Sequence, residues 1–168
     1  NCLDLGCGWG PIAVALAREY PEASVWATDI NERAVSLTRY NAQQNRLANI
    51  KTGTPESLVT EYGDEWVRTG FDMIWSNPPI RIGKEALHEL LMMYLPRLNT
   101  NGYAYLVVQK NLGADSLIPW LDTSLNANPG NGTALSSGRV GYTVRKYSSS
   151  KGYRVIEIHR LPASGEPA

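Results

Sequence analysis

The chain is poor in the residues that build disulfide frameworks, metal centres and membrane spans. Two cysteines, Cys2 and Cys7, occur in 168 residues. They fall in one predicted strand and the loop after it, too close and too aligned for a useful disulfide. No histidine lies near enough to complete a zinc site. The pattern points to a reducing, cytosolic setting. No run of about 18 apolar residues exists, which excludes a membrane-spanning helix. No secretory leader is evident, and a strand begins at the first residue, so we expect a domain cut from a longer protein. Net charge is absent too, with 16 bases against 16 acids. Their distribution is uneven. Residues 1–75 carry ten acids and six bases, whereas residues 76–168 carry six acids and ten bases. Between Arg139 and Arg160, six bases face Glu157 alone. A basic half can meet a polyanion without making the whole chain basic. A solvated face explains the same pattern as well.

What the chain does contain is an alternation of short apolar runs with amphipathic stretches. Strands are predicted at 1–5, 23–28, 50–52, 71–75 and 103–109, and helices at 11–20, 32–45, 84–98 and 114–121. "NTNG" at 99–102 reads as a turn. Residues 126–138, "NANPGNGTALSSG", read as a Gly/Asn/Ser/Pro-rich loop. Residues 140–147 and 153–160 alternate like an antiparallel hairpin around "SSSKG". This order predicts an α/β domain over residues 1–160 with a flexible tail at 161–168. Its sheet is Rossmann-like, doubly wound and mostly parallel, with seven strands, an antiparallel C-terminal hairpin and helices on both faces.

The first strand runs into "LDLGCGWG" before a helix opened by Pro11. An open parallel sheet binds its ligand at such a turn, where glycines let backbone approach closely and amides face a helix start. A dinucleotide fingerprint needs G-x-G-x-x-G. Here Gly6, Gly8 and Gly10 give G-x-G-x-G, and Pro11 holds the place of the third glycine, which argues against a nicotinamide cofactor. Asp4 stands two residues before the first glycine. Asp29 ends the second strand, 21 residues after Gly8, where a carboxylate can accept both hydroxyls of a ribose.

"LDLGCGWGPIAVALA" with "ATDIN" resembles the cofactor half of class I S-adenosylmethionine-dependent methyltransferases. The resemblance implies that the loop around Asp4, Gly6, Cys7, Gly8 and Gly10 packs under the methionine part of S-adenosylmethionine. It implies that Asp29 holds the ribose, and that Ile30 and Thr54 belong to the cofactor site, Thr54 near the adenine. Thr54 departs from the acid often found there.

The fourth strand ends in "SNPPIRIGK". Two prolines make a stiff extended backbone that aims its carbonyls. Asn77 offers a side-chain carbonyl and Pro78 a backbone one, so the pair can hold both hydrogens of a planar –NH2 group. Pulling that nitrogen toward tetrahedral geometry localises its lone pair, and the methylated nitrogen then loses a proton without a strong base. The only histidines, His88 and His159, adjoin no motif. The element Asn77, Pro78, Pro79, Ile80 resembles the Asn/Asp-Pro-Pro-aromatic motif of amino-group methyltransferases, and also contributes Asn77 to the cofactor site. Ile80 replaces the usual ring that stacks on the acceptor. Arg81 can lie against a base or pair with phosphate. Over residues 1–160, "SNPPIRIGKEALHELL", "LPRLNTNGYAYLVVQKNLGADSLIPWL" and "KGYRVIEIHR" are similar to small-domain methyltransferases of the ribosomal RNA small-subunit methyltransferase C group. That resemblance implies an enzyme methylating guanine N2 of small-subunit rRNA. We expect it to be cytoplasmic and metal-free, with Arg81, Lys84 and Lys110 on the RNA side. Glutamine-N5 or adenine-N6 methylation, and a non-catalytic RNA-binding scaffold of the same fold, stay open.

Overall fold

A computed structural model describes residues 1–79, 82–110, 113–127 and 141–162. The chain divides into two compact units, Asn1–Asn77 and Pro78–Ala168. Its strands form a seven-stranded mixed sheet.

In the first unit, β1 (Cys2–Leu5), β2 (Val25–Thr28), β3 (Ile50–Gly53) and β4 (Phe71–Ser76) run in the order β3-β2-β1-β4. All their pairings are parallel. β1 and β2 are buried at every residue, as expected of parallel strands covered on both faces. Helix α1 (Pro11–Glu19) opens on Pro11, whose missing amide hydrogen costs nothing in a first turn. It turns Ala13, Leu16 and Ala17 inward. Helix α2 (Glu32–Gln44) is capped by the Asn31 side chain, which accepts from the Arg33 amide. Two helices without a counterpart in the predicted elements follow β3: α3 (Pro55–Tyr62) and α4 (Asp64–Arg68). Their apolar signal is thin, because they bury only Leu58 and Trp66. Trp66 packs between Trp26 and Phe71, with ring centroids 5.2 and 6.2 Å away.

The second unit contains α5 (Lys84–Tyr94), a 3-10 turn at Leu95–Arg97, β5 (Leu98–Gln109), α6 (Ala114–Ala127), β6 (Tyr142–Ser150) and β7 (Tyr153–Arg160). β7 pairs antiparallel with both β5 and β6, which is the expected C-terminal hairpin. "NTNG" is not a turn between elements. It lies inside β5, and the bend it announced survives as a left-handed Asn101 with φ 63°. Helix α6 runs past its predicted end at Leu121 because Leu125 is also buried, one turn beyond the buried Leu117 and Leu121. The Asn126 side chain then clasps Tyr142, accepting its amide at 2.9 Å and donating to its carbonyl at 3.1 Å. The chain therefore departs at Ala127 and returns at Gly141 beside its point of departure. Residues 128–140 and 163–168, including most of the predicted loop and tail, lie outside the described residues.

Candidate cofactor and acceptor site

Parallel register puts the ends of four strands in one row. Leu5 pairs with Thr28 and with Ser76, and Thr28 pairs with Gly53. The residue after each strand end is then Thr54, Asp29, Gly6 and Asn77, in that order across the sheet. Neighbouring strands are about 4.8 Å apart. Asp29 and Asn77 thus flank the glycine loop one strand away on either side. The sequence supplies these residues, but only the register brings them together.

The loop is held from every side. Thr28 C=O accepts the amides of Gly6 and Cys7 at 2.8 and 3.0 Å. The Asp29 carboxylate accepts the Gly8 amide at 3.0 Å and the Asn31 amide at 2.9 Å. From α2, the Thr38 hydroxyl donates to Gly8 C=O at 2.9 Å and Asn41 donates to Trp9 C=O at 2.8 Å. Gly6, Gly8 and Gly10 all adopt positive φ, at 73°, 57° and 84°. Thr38, Asn41 and Ser76 are missing from the sequence-based site. The i, i+3 spacing of Thr38 and Asn41 on α2 was the available signal. Ser76 donates its hydroxyl to Leu5 C=O at 2.7 Å, pinning the end of β4 to the end of β1, immediately before Asn77 and Gly6.

The residues present fit S-adenosylmethionine. One Asp4 oxygen accepts the Ala13 amide at 2.9 Å at the start of α1. The other, Oδ1, is buried with no hydrogen-bond partner. An orphaned carboxylate oxygen is costly and suits a cationic ligand group. Nothing lies within 4 Å of where a Cβ would stand on Gly8, which leaves an open cradle above the loop. Each Asp29 oxygen keeps a lone pair for a ribose hydroxyl beyond its backbone bond. Ile30 is 76% exposed, a flat apolar surface beside Asp29. Thr54 has a structural task, since its hydroxyl caps α3 by accepting the Ser57 amide at 3.1 Å.

Burial raises the Asp4 carboxyl to about 7, against the Ala13 hydrogen bond and with some help from Asp29. The folded value lies above the unfolded one, so this group stabilises the fold most below its unfolded range near 4. That stabilisation is lost as pH rises through about 7. Asp4→Asn keeps an acceptor for Ala13 and should remove this slope, gaining stability relative to the parent at pH 8 while binding S-adenosylhomocysteine at least tenfold more weakly. Thermal melts from pH 4 to 8 and calorimetry check both halves. Burial also pushes the Cys7 thiol up to about 12, so it stays a neutral thiol against Thr38, 3.5 Å away.

Asn77 is exposed, Pro78 is buried and Pro79 is exposed. Pro79 C=O accepts the Ile82 amide at 3.1 Å just before α5. Ile80 and Arg81 lie outside the described residues. His88 stacks on Trp120 with ring centroids 3.4 Å apart, and His159 stacks on Tyr103 at 4.2 Å. Burial, then Lys84, lowers the His88 pKa. Among the described residues, no helix is long and apolar enough to cross a membrane.

Comparison with known proteins supplies a family and a range of relatives. The family model for the methyltransferase small domain matches residues 1–130. An uncharacterized protein of Bacillus subtilis, YbxB, is 36% identical over 120 residues, covering 71% of this chain and 58% of that protein. A release factor glutamine methyltransferase of Flavobacterium psychrophilum is 36% identical over 98 residues, covering 57% of this chain and 33% of its own length. The ribosomal RNA small subunit methyltransferase C of Pseudomonas syringae is 30% identical over 122 residues, covering 70% and 35%. The chain thus spans between a third and six-tenths of these relatives. Among solved structures, TYW2 of M. jannaschii in complex with AdoMet superposes with a TM-score of 0.58 at 17% identity, covering 95% of this chain and 66% of that one. At that identity the likeness concerns the fold.

Proposed function

Because the chain belongs to the methyltransferase small-domain family and its cofactor is S-adenosylmethionine, we propose that it transfers a methyl group to an exocyclic amine, guanine N2 of small-subunit rRNA. One observation carries this reading: Asn77 stands one strand from the glycine loop, fixed there by the Ser76–Leu5 hydrogen bond. S-adenosylmethionine supplies an electrophilic methyl group on a sulfonium.

The chain's own residues do the rest. The side-chain carbonyl of Asn77 and the backbone carbonyl of Pro78 accept the two N–H bonds of the acceptor. Those bonds draw the nitrogen out of conjugation and aim its lone pair. Pro79 keeps the segment stiff, so the geometry exists before the acceptor arrives. The methylated nitrogen is strongly acidic and gives its proton to solvent, which fits a site whose row of strand-end residues contains no histidine. Lys84 at the start of α5 and Lys110 just after β5 are the bases proposed to meet the RNA backbone. The excess of bases after residue 75 supports RNA over protein as acceptor.

A second reading is favoured by the glutamine methyltransferase relative, since a glutamine side chain presents the same planar –NH2 to Asn77. Incubation with radiolabelled donor, ribosomal subunits and release factors separates the two. We expect label in the RNA fraction, with N2-methylguanosine in its nucleoside digest. Label confined to protein would overturn the RNA reading and leave the Asn77 chemistry intact.

A further inference from the structure

The second unit holds a cleft that the methyl-transfer chemistry does not use. It lies where the end of β5 meets the β6–β7 turn, and its volume is about 590 Å3. That is within the roughly 300–1,000 Å3 of ligand sites. Lys110, Lys151, Gln109 and Tyr153 are among the residues that line it.

Several features make this a built cleft. Ser150 pairs with Tyr153, so Lys151 and Gly152 form a two-residue turn, and both have positive φ, 48° and 83°. Such turns favour Asn or Gly at the first position. A lysine there costs on the order of 1 kcal/mol. The fold keeps it, which points to a use for the side chain. Lys110 N–H donates to Gly152 C=O at 2.8 Å, clipping the two lysine-bearing segments together. The Gln109 amide donates to the Tyr153 hydroxyl at 2.8 Å and fixes the ring, which is 39% exposed. The acid at the rim, Asp115, is neutralised by its ion pair with Arg154. Among the described residues neither Lys110 nor Lys151 has an acidic partner. Tyr147, 60% exposed at the bulge in β6, extends the alternation of cations and rings along the hairpin.

We propose that this cleft is a binding site for one nucleotide of a single-stranded RNA, its phosphate between Lys110 and Lys151 and its base laid on Tyr153. A repeating unit of one anion and one flat ring matches two ammonium groups and an exposed tyrosine better than a peptide does. The inference rests on the RNA reading above and adds a contact that the methyl-transfer step itself does not use.

The test uses variants that keep the fold. Lys151→Gly relieves the left-handed backbone while deleting the charge, and Tyr153→Leu deletes the ring. Binding of a fluorescein-labelled ten-nucleotide RNA is followed by anisotropy across a salt series, beside methyl-transfer kinetics on ribosomal RNA. Lys151→Gly should weaken binding three- to tenfold and reduce the slope of log K against log salt by about 0.7. Tyr153→Leu should weaken binding about tenfold with the slope unchanged, and Tyr153→Phe should restore it. The loss should fall in KM for RNA. If the parent methylates RNA and both variants bind it as the parent does, the cleft is wrong and the RNA reading stands. If the parent methylates only protein yet the variants lose RNA affinity as stated, the cleft stands and the RNA reading falls. Displacement of the RNA by an acidic peptide from the parent but not from Lys151→Gly would assign the cleft to a protein partner and overturn the proposal.

Discussion

Asn77→Ala should lower turnover by about 10²–10³-fold while the dissociation constant for S-adenosylhomocysteine changes less than threefold. The asymmetry follows from where Asn77 sits. The loop that grips the donor is tied to Thr28, Asp29, Thr38 and Asn41, and none of those bonds passes through the Asn77 side chain. Its exposed amide is therefore available to the acceptor. Asn77→Asp retains a carbonyl-like acceptor and should keep more activity than the alanine variant. Single-turnover assays with saturating donor measure both. Equal turnover by the parent and Asn77→Ala would sink the positioning mechanism. A loss of donor binding in step with turnover would instead mean that Asn77 acts chiefly through its place in the cofactor site.

The second large effect separates two glycines that look equivalent in the sequence. A Cβ on Gly10 would stand 2.7 Å from Thr38 Cγ2 and 2.8 Å from its hydroxyl, at a φ of 84°. Thr38 is fully buried and already engaged with Gly8 C=O, so it cannot step aside freely. Left-handed strain and overpacking together should cost Gly10→Ala about 3 kcal/mol, or roughly 10 °C in Tm. Gly8→Ala meets no protein atom within 4 Å and should cost only about 1 kcal/mol of stability. Its methyl would enter the cradle, however, and S-adenosylhomocysteine binding should fall by at least tenfold. Melting curves and calorimetry on the two variants should therefore rank them in opposite order. The same ranking in both assays would mean that the cradle above Gly8 is not where the donor lies.

Much of this site is legible without coordinates, because each part is written locally. A glycine run after an apolar strand, an acid at the next strand end and Asn-Pro-Pro at another are each signals within a few residues. What escapes is non-local. Nothing in the sequence states that Leu5, Thr28, Gly53 and Ser76 share a level, since register is settled by packing of whole strands. Thr38 and Asn41 read as ordinary polar positions on a largely polar helix until the loop is laid beside them. Helices α3 and α4 escape for an energetic reason: with one buried side chain each, they lack the periodic apolar stripe that identifies α5. Their starts were nonetheless marked, by Thr54 before Pro55 and by Asp64 and Glu65 in a first turn. Pro119 suggests an early end for α6, but the apolar row Leu117, Leu121 and Leu125 carries the helix past it.

The chain divides between Asn77 and Pro78. Every residue proposed to hold the donor precedes that peptide bond, and the cleft proposed for RNA follows it. The proposed donor site and the proposed RNA cleft are therefore spelled out in separate stretches of the gene, with Asn77, which meets the acceptor, at the end of the first. A lineage can rewrite the second stretch, changing what receives the methyl group, while inheriting the donor half intact. A chimera joined at Asn77–Pro78, carrying the second stretch of a glutamine methyltransferase, should bind S-adenosylhomocysteine as this chain does and deliver its methyl group elsewhere.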